Sequence, residues 1–148
     1  MKVAQQWSRY GNIERDVGSL VVYKSHGVAL EDFRGKGATF VFNQGVNTQR
    51  DIVTQAYPTD IGNGAHQVAC LATTAAATGW AANGIEIDGC DLHQGANGSG
   101  WILDWDESYQ AITGVTSSWQ DDGSNFSPYF DDNTNVQYTT MSTVYPPA

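Results

Sequence analysis

Turn-forming residues punctuate this chain so often that only short segments remain between them. Gly11-Asn12, His26-Gly27, Gly35-Lys36-Gly37, Asn43-Gln44-Gly45, Gly62-Asn63-Gly64, Asn83-Gly84, Asp88-Gly89, Gly95 to Gly100, Asp121 to Asn125 and Asp131 to Asn135 all carry that chemistry. Gly accepts left-handed backbone, and Asn and Asp bond their own main chain. Between these points lie Ser19 to Lys24, Val28 to Phe33, Ala38 to Asn43, Asp51 to Tyr57, Ile85 to Asp88, Trp101 to Asp106, Ala111 to Trp119 and Val136 to Tyr145, rich in β-branched and aromatic residues. Short strands at near-regular spacing predict a mainly β fold, a sandwich or barrel-like domain. The 148 residues amount to a single domain of ordinary size, 1–148, with no linker composition inside it.

Two segments alternate cleanly. Trp101, Leu103 and Trp105 share one face against Ile102, Asp104 and Asp106, and Ile85 and Ile87 oppose Glu86 and Asp88. One face of each is expected in the core and the other in water. The stretch 65–82 departs from this pattern. It is rich in Ala, and Val68, Leu71, Ala72, Ala75, Ala76 and Trp80 recur at helical spacing before Gly84, which predicts one Ala-rich helix. The same stretch also reads with period two, Val68, Cys70, Ala72, Thr74 and Ala76 forming one face of a buried strand, and Thr73, Thr74, Thr78 and Gly79 lower its helix propensity.

Charge is partitioned along the chain. All seven basic residues, Lys2, Arg9, Arg15, Lys24, Arg34, Lys36 and Arg50, precede position 51, and twelve of the sixteen carboxylates lie from Asp51 onward. With four acids among the first fifty residues, the two portions carry about +3 and −12. A net charge of −9 opposes nucleic acid and an anionic membrane face as partners. Apolar stretches such as Ser19 to Tyr23 are far short of the roughly 20 residues that a membrane helix needs. The opposite signs favour head-to-tail contact between copies of the chain, with Arg34 and Lys36 on the cationic side.

The candidates for chemistry are sparse. Cys70 and Cys90, twenty residues apart, fit either a disulfide or two reduced, buried thiols, and pairing each with its near histidine, His66 or His93, gives no recognised nucleophile signature. Asp104, Asp106 and Glu107 beside Trp101 and Trp105 suggest the acid pair and aromatic platform of a small glycoside hydrolase, although neighbours on one strand rarely supply that geometry. Asp121 and Asp122, with Asp131 and Asn133, lie in oxygen-rich loops of the kind that take calcium; Val136 stands where an EF-hand has Gly. No other cofactor is implied. Asn97-Gly98-Ser99 fits the N-glycosylation tripeptide.

Aromatic anchors complete the picture. Trp7 and Tyr10 near the start, and Tyr138 and Tyr145 near the end, are candidates for an interface with other subunits. Gly27 to Asp32 followed by Gly35 to Gly45 resembles the short β-turn-β segments of phage head-decoration proteins. Together these features lead to the expectation of a self-assembling structural protein without catalytic role, a homo-oligomeric capsid, decoration or tail component of a virion, or an extracellular fibre subunit. The alternatives are a secreted carbohydrate-binding module, with glycan as partner, and the small glycoside hydrolase.

Overall fold

The computed structural model describes residues 1–35, 37–103 and 110–144. In chain order the elements are β1 (Lys2–Val3), α1 (Gln5–Tyr10), β2 (Gly18–Ser19), α2 (Leu30–Arg34), β3 (Thr39–Phe40), β4 (Asp51–Ala56), β5 (Val68–Ala76), β6 (Ile85–Ile87), β7 (Gly100–Leu103), β8 (Ala111–Val115), β9 (Ser118–Trp119), β10 (Asn125–Ser127) and α3 (Asp132–Ser142). The protein is mainly β, as its turn pattern predicts.

Eight strands form one sheet in the order β3-β8-β7-β4-β5-β6-β10-β9. Only Thr116 and Ser117 separate β8 from β9 in sequence, yet these strands stand near opposite ends of that order. The sheet therefore curls back on itself at these two residues. Ser117 N–H donates to Phe126 O (2.8 Å) and Val115 N–H to Ser127 Oγ (2.9 Å), which ties the closing corner to β10. Inside the curl lie Ile52, Ile87, Leu92 and Trp101, all at most 1% exposed. Trp101 satisfies its indole N–H on Thr116 Oγ1 at 3.0 Å, so a fully buried core side chain also braces the corner. Alternation in β7 is as expected, with Trp101 and Leu103 buried and Ile102 partly exposed.

The Ala-rich stretch is not a helix. Val68–Ala76 is the longest described strand, paired antiparallel with β4 from Val68↔Ala56 to Thr73↔Asp51. Period two wins because β4 supplies a ladder for its backbone while Cys70 turns inward and bonds Cys90, with Cα atoms 5.7 Å apart. That disulfide also removes both thiols as nucleophiles.

Two expected strands are helical instead. Within Val28 to Phe33 the chain turns into α2 at Leu30, so the resemblance to a β-turn-β segment does not hold. Val136 to Tyr145 falls largely in α3, because Asp131 caps it, accepting from the N–H groups of Asn133 and Thr134. Such a cap contributes about 1 kcal/mol and outweighs the weak helix propensity of the Thr and Val that follow. Ser19 to Lys24 leaves the ladder after Ser19, and Leu20, Val22 and Tyr23 are exposed.

Candidate functional site

The turn from Gln94 to Ser99 enters β7 and is held at both ends. Thr59 donates to Gln94 O through its N–H (2.8 Å) and its hydroxyl (3.1 Å). On the other side Gly98 N–H donates to Thr116 O (2.7 Å), and Thr116 N–H donates back to Ser99 O (2.9 Å). Gly95 and Gly98 have φ of +93° and +86°, the left-handed region that favours glycine. Gly95 has a second constraint, since a Cβ there would come within 2.9 Å of Thr59 N.

Between these glycines the N–H groups of Gly95, Ala96 and Asn97 donate to no acceptor among the described residues, whereas those of Gly98 and Ser99 are both used. Ala96 is buried and Asn97 exposed. The free donors of Gly95 and Asn97, two residues apart, thus form an open, preorganised site for a carbonyl oxygen or oxyanion. Ser99 supplies the turn's one hydroxyl, donated to Ala96 O at 2.6 Å.

A carboxylate stands beside this turn. Asp16 follows the short 3-10 helix Ile13–Arg15, and its Oδ2 accepts from Ser117 Oγ at 2.7 Å. Ser117 is only 5% exposed and adjoins Thr116, the residue bonded to the turn. The corner of the sheet therefore brings Asp16 toward a turn about eighty residues later in sequence.

On the other flank, His93 Nδ1 lies 3.1 Å from Asp60 Oδ2 and Nε2 lies 3.3 Å from Asp91 Oδ2. Its ring stacks on Trp119, with centroids 6.5 Å apart, and the Trp119 indole donates to Asp91 Oδ1 at 3.0 Å.

The residues singled out from the sequence lie elsewhere. Asp131 pairs with Arg15 at 2.6 Å besides capping α3. Burial disfavours its charged form, but hydrogen bonds from Arg15, Thr134 N–H and Asn133, with the guanidinium charge, prevail and hold its carboxyl below the ordinary range. Asn133 donates to Asp131. Asp122 accepts from the Ser124 hydroxyl and N–H, which lower its pKa, and Asp121 is exposed in the same turn. Among the described residues no three His, Cys, Asp or Glu side chains gather as for a metal ion.

Of the aromatic anchors, Tyr138 packs within the chain on Phe40 (4.9 Å between centroids), Trp7 is half-buried on α1, and Tyr10 is exposed. Arg34 ends α2. Lys36, Asp104, Trp105, Asp106, Glu107 and Tyr145 lie outside the described residues. In the sequence Asp16 is one charge among many, and Asn97-Gly98-Ser99 reads as a glycosylation tripeptide. The two glycines three apart were the available signal.

No protein-family model and no curated protein matches the sequence. Solved structures do. A thermostable serine protease, AL20, from an extremophilic microorganism superimposes with a TM-score of 0.84 at 21% identity, over 97% of this chain and 65% of the protease. The protease Anisep from Arthrobacter nicotinovorans gives 0.82 at 22% identity, over 96% and 64%. The chain thus shares the chymotrypsin-like β fold and spans somewhat under two thirds of the length of each protease. This likeness overturns the expectation of a self-assembling virion or fibre subunit without catalytic role, together with its carbohydrate-binding and glycoside-hydrolase alternatives, because the fold is one that enzymes of peptide hydrolysis use.

Proposed function

We propose that this chain carries the peptide-binding and oxyanion-stabilising part of a serine-protease-type hydrolase domain. The observation that carries the reading is the pair of free N–H groups on Gly95 and Asn97. When a peptide carbonyl is attacked, its oxygen gains negative charge, and each preorganised backbone donor aimed at it lowers the barrier by about 3 kcal/mol. In chymotrypsin-type sites one such donor belongs to the nucleophilic residue and the other lies two positions before it, which is the spacing here.

Asp16 suits the acid of such a site. A buried carboxylate there orients the histidine base and stabilises its charged form, and the Ser117 hydroxyl fixes the carboxylate's own orientation. His93 does not fill the place of that histidine, since both its ring nitrogens are engaged by Asp60 and Asp91 and neither faces a nucleophile. By that spacing the nucleophile position is Asn97, whose carboxamide does not form an acyl intermediate, so this turn holds and polarises a carbonyl without supplying the attacking group at that position.

The reading is tested by titrating the isotope-labelled chain with extended peptides and following its amide NMR signals. The expected result is shifts at Gly95, Ala96 and Asn97, with Ser117 following. Shifts confined to other regions, or none at millimolar peptide, would remove the site.

A further inference from the structure

The charge partition of the sequence has no part in the carbonyl-binding reading, but it bears on what the site would select. The structure assigns this turn a cationic peptide as its ligand, one with a Lys or Arg side chain beside the carbonyl that Gly95 and Asn97 hold. This inference rests on the reading of the turn as a peptide-binding site.

Three carboxylates, Asp16, Asp60 and Asp91, flank the turn. Asp60 and Asp91 keep 41% and 55% of their side-chain surface exposed, so a ligand can reach them. Among the described residues His93 is the ionisable base that contacts these two, and even fully charged it offsets only one of them. The wall is negative with either proton count. Trp119, stacked on His93 and bonded to Asp91, adds an aromatic face of the kind that attracts ammonium and guanidinium groups.

Everything from Asp51 onward lacks Lys and Arg entirely, so the turn and the flank that holds Asp60 and Asp91 carry no Lys or Arg of their own to cancel the field. Arg15, the basic residue next to Asp16 in sequence, is already paired with Asp131. A cationic peptide is drawn in by this field and an acidic one repelled, and both effects weaken as salt screens them.

The test uses three acetylated hexapeptides of one sequence that differ at a single position, Lys, norleucine or Glu, titrated into the full chain by calorimetry with NMR as a check on the site. The Lys peptide is expected to bind about tenfold more tightly than the norleucine peptide at low salt and the Glu peptide more weakly than either. The gap should narrow between about 0.05 and 0.5 M salt. The double variant Asp60→Asn, Asp91→Asn should abolish the Lys preference, bringing the Lys and norleucine peptides to equal affinity. Equal affinities for Lys and norleucine peptides, with Gly95 and Asn97 still shifting, would overturn the cationic preference and leave the carbonyl site standing. Failure of all three peptides to bind would remove both.

Discussion

The curled sheet and the residues that precede β3 are held by different forces. From Asp51 to Ser127 the chain makes an apolar interior, with Ile52, Ile87, Trp101 and Phe126 almost fully buried and a disulfide across it. Before that, Leu20, Val22, Tyr23, Leu30 and Phe33 are exposed, from 51 to 78%. Besides the packing of Ile13 on Ala77, Ala81 and Phe126, this earlier segment is fastened by polar bonds: Glu14 to Asn83, Arg15 to Asp131, Asp16 to Ser117, and the Gln137 amide to Val17 O. Burial of apolar surface is indifferent to pH and weakly sensitive to salt, whereas ion pairs and charge-assisted hydrogen bonds respond to both. The site joins the two, with its donors on the sheet and its acid on the polar segment. It should therefore be lost before the sheet is.

The largest effect should come from the sheet itself. Trp101→Ala removes a fully buried indole and its bond to Thr116, and should cost about 3 to 5 kcal/mol in urea unfolding. A cost below about 1 kcal/mol would show that the closing corner is not braced from inside. Next, Cys70→Ser with Cys90→Ser should lower stability by about 3 kcal/mol for a loop of this length, seen as a matching fall in melting temperature of the native protein under reductant.

Smaller effects belong to the polar fastenings. Arg15→Ala strips a part-buried carboxylate of its partner, which should cost about 1 to 2 kcal/mol. It should appear first as faster hydrogen exchange and proteolysis before residue 36, at denaturant levels where the sheet amides remain protected. The same loss should occur in acid. Because the Asp131 carboxyl is held below its ordinary value of about 4, the unfolded chain takes up that proton at higher pH than the folded one. Its contribution is complete above the ordinary carboxyl pKa and is lost as pH falls through the lower folded value. The stability gap between the protein and Asp131→Asn should accordingly be steady near neutrality and close below about pH 4, a difference of about 1 kcal/mol or less for so accessible a pair.

What the sequence revealed divides along similar lines. Period-two alternation in β6 and β7 was legible because each has one face in the core, and the turn residues marked most strand ends. The Ala-rich β5 was ambiguous for a physical reason: small side chains satisfy helical and strand periods equally, and only the β4 ladder and the Cys70–Cys90 bond decide between them. α3 was hidden because its start depends on one cap, Asp131, and its apolar packing on only Tyr138 and Met141, too few to set a helical period in the sequence. The site was less legible still. Gly95 and Gly98 could be seen as turn residues, but a free N–H pair is defined by acceptors that are missing, and Asp16 meets Ser117 across 101 positions of chain. The charge partition, taken for an assembly signal, includes an ion pair inside the chain, Arg15 with Asp131.

The corner at Thr116 and Ser117 also governs the order in which the molecule can form. Local hairpins such as β7–β8 need little chain closure, whereas drawing Asp16 onto Ser117, or Arg15 onto Asp131 across 116 positions, must first overcome the entropy of very long loops. Topologies dominated by such distant pairings fold over milliseconds to seconds. In a stopped-flow refolding experiment the far-ultraviolet sheet signal should therefore return ahead of peptide binding, with the carbonyl-holding turn reaching its acid only in the final phase.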